Sequence, residues 1–277
     1  MQVVSSIFDL KTARRKMHGP IGFIPTMGSL HEGHLSLVRR ARVDNENTVV
    51  SIFVNPTQFL PHEDFHSYPR NEEKDLALLQ KESVDLVFMP EVKEIYAEDH
   101  CTFINLDGLS DVLEGASRPG HFRGVATVVA QLFNLVEPTR SYFGQKDAQQ
   151  LLLLKKMVAD LKMNLEIISC PTIREEDGLA MSSRNIYLQP EDRRLAGVIP
   201  KALFMARDLW LAGERDSESL RGQVRKMILG VSGAEIDYVS IADPKSLTEL
   251  NRIRGGALLS LAVRIGGVRL IDNIILE

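Results

Sequence analysis

Residues 22–38 read Gly-Phe-Ile-Pro-Thr-Met-Gly-Ser-Leu-His-Glu-Gly-His-Leu-Ser-Leu-Val, placing a strand end, a tight turn, two histidines and a helix start within one short stretch. Residues 21–24 are apolar and partly β-branched, and Pro25, which has no N–H to give a ladder, is expected to end a buried strand there. In the helix that follows, His34, Leu37, Val38 and Ala41 share one face by their i, i+3, i+4, i+7 spacing, while Arg39, Arg40 and Arg42 point mostly elsewhere. His31 precedes His34 by three residues, so both imidazoles sit at the helix start. Gly28 and Gly33 let backbone approach a ligand closely, and the unpaired N–H groups of a helix N-terminus attract anions. The pattern alone leaves three readings open: a surface histidine pair, a metal site and a nucleotide phosphate cradle. Metal ranks low, because neither Cys101 nor Cys170 comes in a paired ligand spacing and His-x-x-His is one residue short of the usual helical pair.

The rest of the chain repeats the strand-then-helix pattern. A short amphipathic helix is expected over residues 10–17, and residues 48–54 form a second, nearly continuous apolar run, as in a parallel strand covered on both faces. With the helix of residues 34–42 between the strands this is a right-handed βαβ unit. Asn55-Pro-Thr-Gln58 follows the strand, where an open α/β sheet has its ligand crevice. A solvated turn is the alternative there. A helix over 72–82, a strand over 84–89 and a weak strand over 101–106 come next, then a helix over 122–136 with little polar face. A strand over 141–143, a turn at 144–147, a helix over 148–161 and a strand over 165–169 complete the set. Beyond the polar loop 173–185 the pattern changes to helices (190–211 and 217–229) followed by strands (236–241, 257–263 and 268–276). That segregation reads as a smaller α+β domain, so the expected division is 1–173 and 174–277.

Several blocks in this order resemble the pantoate–β-alanine ligase (pantothenate synthetase) family. They are Pro-Thr-Met-Gly-Ser-Leu-His31-Glu-Gly-His34, Asn55-Pro-Thr-Gln58, Tyr68-Pro-Arg70, Arg118-Pro-Gly-His121, Tyr142-Phe-Gly144-Gln-Lys146-Asp147, Met181-Ser-Ser-Arg184 and Asp272-Asn. The likeness spans essentially the whole chain. More distantly, His31-x-x-His34 and Met181-Ser-Ser-Arg184 are similar to the two ATP motifs of the nucleotidyltransferase superfamily that includes class I aminoacyl-tRNA synthetases. The resemblance implies a Rossmann-like α/β fold and a two-step ligation. Pantoate and ATP would give pantoyl adenylate and pyrophosphate, then β-alanine would displace AMP to give pantothenate.

It also implies roles. ATP would be lined by Met27, Gly28, Ser29, Leu30, His31, Glu32, Gly33 and His34, with Gly144, Gln145, Lys146, Asp147, Ile173, Met181, Ser182, Ser183 and Arg184. His34 would be the proton donor, and Lys146 and Arg184 would bear the charge growing on the pyrophosphate. Gln58 and Gln150 would hold pantoate, with Gln58 also touching β-alanine. Mg2+ would accompany ATP with no protein ligand assigned, and the enzyme would be a homodimer; a cytoplasmic location is expected separately, because the two isolated cysteines fit a reducing compartment. The segment Leu60-Pro61-His62 departs from the Gly-rich segment of many members, which leaves the flap over residues 60–66 undefined.

Composition narrows the alternatives. The chain of 277 residues, 44% hydrophobic and 25% charged, has ample material for a core. A formal charge of −4 gives no general attraction to nucleic acid or anionic membrane. No apolar run approaches the ~20 residues of a membrane span. Two rivals are another nucleotidyltransferase, against which the Asn55 to Gln58 block speaks, and a non-catalytic ATP sensor. The sensor's sign would be loss of His34, Lys146 or Arg184, and all three are present.

Overall fold

The computed structural model describes residues 1–61 and 63–277; His62, part of the segment that departs from the family pattern, lies outside the described residues. Six strands form one parallel sheet: β1 (Gln2–Val4), β2 (Ile21–Thr26), β3 (Asn47–Ile52), β4 (Leu86–Phe88), β5 (Arg140–Gly144) and β6 (Glu166–Cys170). The helices between them are α1 (Ile7–Arg14), α2 (Glu32–Asp44), α3 (Glu72–Lys81), the single turns α4 (Val92–Ile95) and α5 (Glu114–Ser117), α6 (His121–Val136) and α7 (Ala148–Asp160). The strands alternate their side chains between two cores. Ile21, Phe23 and Val49 pack with residues of α1, α6 and α7, while Ile24, Val50 and Val87 pack with those of α2 and α3. Each fully buried side chain of this kind contributes about 1.5–3 kcal/mol relative to exposure, and helices on both faces explain why these strands are apolar throughout.

The strand order is β1-β4-β3-β2-β5-β6. From β2 the chain moves outward through α2 to β3 and β4, then returns through α6 to β5 on the other side. The switch in direction therefore falls between β2 and β5, and it opens a crevice at their carboxyl ends.

A second, antiparallel sheet holds β7 (Glu235–Ala242), β8 (Ala257–Ile265) and β9 (Val268–Leu276) in that order. The helices α8 (Pro190–Ala196), α9 (Val198–Leu211) and α10 (Ser217–Leu229) precede it, and the three share a separate core with the sheet. The β8–β9 hairpin turns on Gly266 and Gly267, with φ of 57° and 77°, the pair of positive angles that a two-residue hairpin turn of the I′ type requires.

Three expectations are corrected. β2 does not stop at Pro25 but runs to Thr26, with Pro25 opposite Ser51. The carbonyls of Thr26 and Ile21 accept from Phe53 on the β3 side and Thr139 on the β5 side, so Pro25 turns its missing N–H toward β5. Pairing with β5 ends at Phe23, so no ladder bond is lost. No strand forms over 101–106: the sheet edge beside β4 belongs to β1, and the Ile104 N–H is taken by Thr127 Oγ1 of α6. The helix expected over 190–211 is broken at Gly197, because Pro200 has no N–H to give the Ala196 carbonyl. The three-residue β1 is an addition, too short to carry a pattern of its own.

Candidate active site

The loop between β2 and α2 is fixed by buried hydrogen bonds. Thr26 Oγ1 donates to the Ser51 carbonyl at 2.8 Å and accepts the Gly28 N–H at 3.2 Å. Gly28 has φ of 80°, and a Cβ there would stand 3.0 Å from Ile52 and 3.1 Å from Asp75, so glycine is required twice over. Asp75 of α3 is buried, and its two oxygens accept the N–H groups of Ser29 at 2.8 Å and Leu30 at 2.7 Å. Nothing local marks Asp75 in the sequence, because its partners are 45 and 46 positions away.

The two histidines cap α2 reciprocally. His31 Nδ1 accepts the Gly33 N–H at 3.1 Å, and His34 Nδ1 accepts the His31 N–H at 3.4 Å. This is the capping-box arrangement with imidazoles in place of hydroxyl and carboxylate. Their ring centroids are 4.1 Å apart. Burial, then the charge of Lys146, lowers the His31 pKa to about 4. Burial, then His31 and Lys146, lowers that of His34 to about 3. Both rings are therefore neutral near pH 7, and with Nδ1 accepting, each carries its proton on Nε2. The pair thus offers two N–H donors and no charge of its own.

After β5, a 3-10 turn over Gln145–Asp147 leads into α7. Lys146 Nζ lies 3.8 Å from Asp147 Oδ1. The turn is braced from the other sheet, since Asn273 Nδ2 of β9 donates to the carbonyls of Gln145 at 2.9 Å and Lys146 at 2.8 Å. The neighbouring Asp272 receives Arg174 through both oxygens, at 2.7 and 3.0 Å, which anchors the start of the second loop. Ile173 accepts the Met181 N–H at 3.0 Å, closing that loop on itself. Its tip reaches the first loop directly: Ser183 Oγ donates to the Ser29 carbonyl at 3.1 Å, and Ser182 Oγ caps the next turn through the Arg184 N–H. Arg184 is paired through Nε and Nη2 with Asp64, at 2.9 and 2.8 Å.

A cavity of about 550 Å³ lies between the two sheets. That is within the usual range for small-molecule sites. Of the residues singled out in the sequence, Met27, Gln58, Lys146, Asp147, Gln150, Ser182 and Arg184 line it. His31 and His34 are not in its lining; they lie beside it, close enough to Lys146 for its charge to act on both.

Asn55 organises the turn after β3. Its Nδ2 donates to Gln58 Oε1 and to the Gly124 carbonyl, both at 3.1 Å, and Tyr96 donates to its Oδ1 at 2.8 Å. Gln58 Nε2 is left facing Met27 Sδ at 2.9 Å. Gly124 lets α6 pack against this turn, for a Cβ there would be 2.4 Å from the Thr57 carbonyl. The two adjacent glutamines of α7 both line the cavity, but Gln149 is committed to structure, holding the Glu114 N–H and the carbonyls of Leu109 and Val112.

Arg118 and His121, quoted in the family blocks without roles, also line the cavity beside Gln58. The Gln58 carbonyl accepts from His121 Nδ1 at 2.8 Å, so Nε2 is the acceptor facing Arg118 at 3.0 Å. Arg118 is clasped by Glu63 at 2.6 and 2.7 Å. Burial disfavours the Glu63 charge, but the guanidinium outweighs it and holds the carboxyl at about 2.

Fold and site together define a doubly wound α/β protein whose switch-point crevice sets two neutral histidine donors beside a cavity lined by cations and polar side chains. Comparison with known proteins narrows the class. The family described as Pantoate-beta-alanine ligase matches residues 2–275. Pantothenate synthetase of Roseiflexus castenholzii is 55% identical over 277 residues, covering 100% of both chains. That of Acetivibrio thermocellus is 52% identical over 280 residues, again covering 100% of both. The crystal structure of pantothenate synthetase from Thermus thermophilus superposes with a TM-score of 0.95 at 48% identity, covering 99% of each chain. That of pantoate-beta-alanine ligase from Francisella tularensis, complexed with beta-gamma ATP and beta-alanine, gives 0.83 at 36% identity, covering 100% of this chain and 98% of that one. The chain belongs to the pantoate–β-alanine ligase family.

Proposed function

We propose that this chain condenses (R)-pantoate with β-alanine at the expense of ATP, through a pantoyl adenylate, releasing AMP and pyrophosphate. One observation supports the reading: a single cavity is lined by the glutamines Gln58 and Gln150 together with the cations Lys146 and Arg184. In the first step a pantoate carboxylate oxygen attacks the α-phosphorus and the bond to pyrophosphate breaks. In the second, the β-alanine nitrogen attacks the acyl carbon, AMP departs and the amine loses its proton. Neither step needs a nucleophile from the protein, only positioning and charge neutralisation.

The residues suit those tasks. The Nε2–H donors of His31 and His34 would meet phosphate oxygens, and His34 would act as a neutral hydrogen-bond donor to the charge developing on the leaving group. Lys146 and Arg184 would neutralise that charge, while Gly28, Gly33, Gly144 and the serines 182 and 183 let the two loops wrap the nucleotide. Gln58 and Gln150 would bind the acid, since an amide donates to a carboxylate and accepts from a hydroxyl at once. The Asn55 bond to Oε1 leaves Gln58 Nε2 as the donor. Among the described residues no three His, Cys, Asp or Glu side chains come together as a metal site. Mg2+ would accordingly be held by the nucleotide's phosphate oxygens and water, as suits an ion that dehydrates reluctantly.

We also propose the division into 1–173 and 174–277, which separate apolar cores on the two sides support. A homodimer is proposed from the family resemblance, and a cytoplasmic location from the two unpaired cysteines. Among the described residues no helix is long and apolar enough to cross a membrane. The purified chain should form AMP and pantothenate in equal amounts only when ATP, pantoate and β-alanine are all present. AMP release that ignores both acids would overturn the reading.

A further inference from the structure

Residues 63–68 cross the cavity with two successive acids turned to two different arginines. Glu63 clasps Arg118, at the junction of α5 and α6, through both oxygens at 2.6 and 2.7 Å. Asp64 clasps Arg184, on the second loop, at 2.9 and 2.8 Å. All four side chains line the cavity. A third tie follows, where Tyr187 Oη donates to the Ser67 carbonyl at 2.7 Å. The segment is braced from within, because Arg70 donates to the carbonyls of Phe65 at 2.9 Å and Tyr68 at 3.1 Å. Phe59 packs edge-on against both Phe65 and Tyr68. The segment is therefore a small preformed unit, braced from within and tied to the cavity walls through Glu63, Asp64 and Ser67.

The two clasps are not equal. The side chains of Arg118 and Glu63 are 11% and 15% exposed, those of Arg184 and Asp64 30% and 22%. The first is the more desolvated and the costlier to break; the second is reached by water and screened by salt. A guanidinium fork that fits a carboxylate through two hydrogen bonds fits a phosphate equally well. Asp64 thus occupies the donors that a polyphosphate would use, and a polyphosphate on Arg184 would repel the displaced carboxylate.

We propose that residues 63–68 are an autoinhibitory strap, in which Asp64 holds Arg184 as an internal stand-in for phosphate until an anionic ligand displaces it, with Glu63 on Arg118 as the retained hinge. The strap rests on the reading of Arg184 as a phosphate-binding residue. Apparent affinity is reduced by the fraction of molecules whose site is free, so removing the competitor raises it. A carboxylate that merely positions Arg184 would do the opposite.

The test is equilibrium binding of inorganic tripolyphosphate to the full chain, with thermal melting to confirm that each variant is folded. Asp64→Asn should bind at least about threefold tighter than the natural chain, with Asp64→Ser as a second variant giving the same direction. Arg184→Ala should bind about tenfold weaker or more. Asp64→Asn combined with Arg184→Ala should match Arg184→Ala alone, and Glu63→Gln should show no tightening. Hydrogen exchange of residues 63–68 should rise on adding tripolyphosphate to the natural chain and be high without it in Asp64→Asn. If Arg184→Ala weakens binding while Asp64→Asn leaves it unchanged or weaker, the strap is overturned and the phosphate role of Arg184 stands. If Glu63→Gln tightens binding as much as Asp64→Asn, the effect is one of general charge and the strap is overturned as well. If Arg184→Ala binds normally, the reading beneath it fails first.

Discussion

The two loops that meet over the switch point are held by different physics. The first, residues 27–34, is fixed by uncharged donors and one buried carboxylate: Asp75 on two backbone N–H groups, Thr26 on Gly28, and two neutral histidines capping each other's turn. The other side, where residues 63–68 meet Arg184, is held by full charges within reach of water. Buried neutral networks lose much when one member goes, because the partner is left unpaired, whereas screened ion pairs exchange partners at little cost. The contrast separates a cradle built in its working shape from a clasp that a ligand replaces.

Removing one acid from each side is the harshest way to break this comparison. Asp75→Ala strands two N–H groups, at about 1–3 kcal/mol for each unsatisfied group, and should lower the melting temperature by several degrees. Asp64→Ala removes the same charge from a pair whose side chains are 22% and 30% exposed and strands no backbone N–H group, so it should cost less than Asp75→Ala. Paired melting curves check this, and equal losses would erase the distinction.

Acidification probes the same contrast through protonation. The folded chain holds His31 at about 4 and His34 at about 3, against 6.5 unfolded. The unfolded state therefore binds more protons as pH falls, and the stability that the pair lends is complete above 6.5 and lost on the way down to 4 and 3. His121, held at about 4, acts in the same window. Glu63 is held at about 2 against 4.5, so its contribution is complete above 4.5 and lost only below. Denaturant titrations at pH 7, 5.5 and 4.5 should show stability falling first through the cradle, and His31→Gln with His34→Gln should flatten that slope. A slope unchanged in the double variant would contradict the assignment.

The smallest effect belongs to the strap's outer tie. Tyr187→Phe removes one exposed hydrogen bond, worth about 0.5–1.5 kcal/mol at most. It should barely alter melting while increasing hydrogen exchange of residues 63–68, and a large loss of stability would mean that the strap is part of the core.

The sequence exposes what depends on near neighbours and hides what depends on distant ones. The β2–α2 junction is legible because strand, glycine turn and capping residues are contiguous, and α6 because its apolar residues surround the whole helix. The break between α8 and α9 is hidden, since the weight of the apolar pattern over 190–211 masks Pro200. Asp75, Asp64 and Asn273 are invisible as anchors, their partners being 46, 120 and 128 residues away. Gln149 and Gln150 look alike in sequence, and only the fold shows that Gln149 is committed to the backbone groups of residues 109, 112 and 114.

If the preformed cradle serves adenylation, pantoate-dependent exchange of pyrophosphate into ATP measures that step alone. Exchange should proceed without β-alanine. His34→Ala should lower it by ~10² to 10³, the scale for losing one preorganised donor at a developing oxyanion. Conversion of supplied pantoyl adenylate with β-alanine should suffer far less, since the pyrophosphate has already gone. A folded His34→Ala chain that exchanges pyrophosphate at the natural rate, or one damaged equally in both half-reactions, would contradict the account.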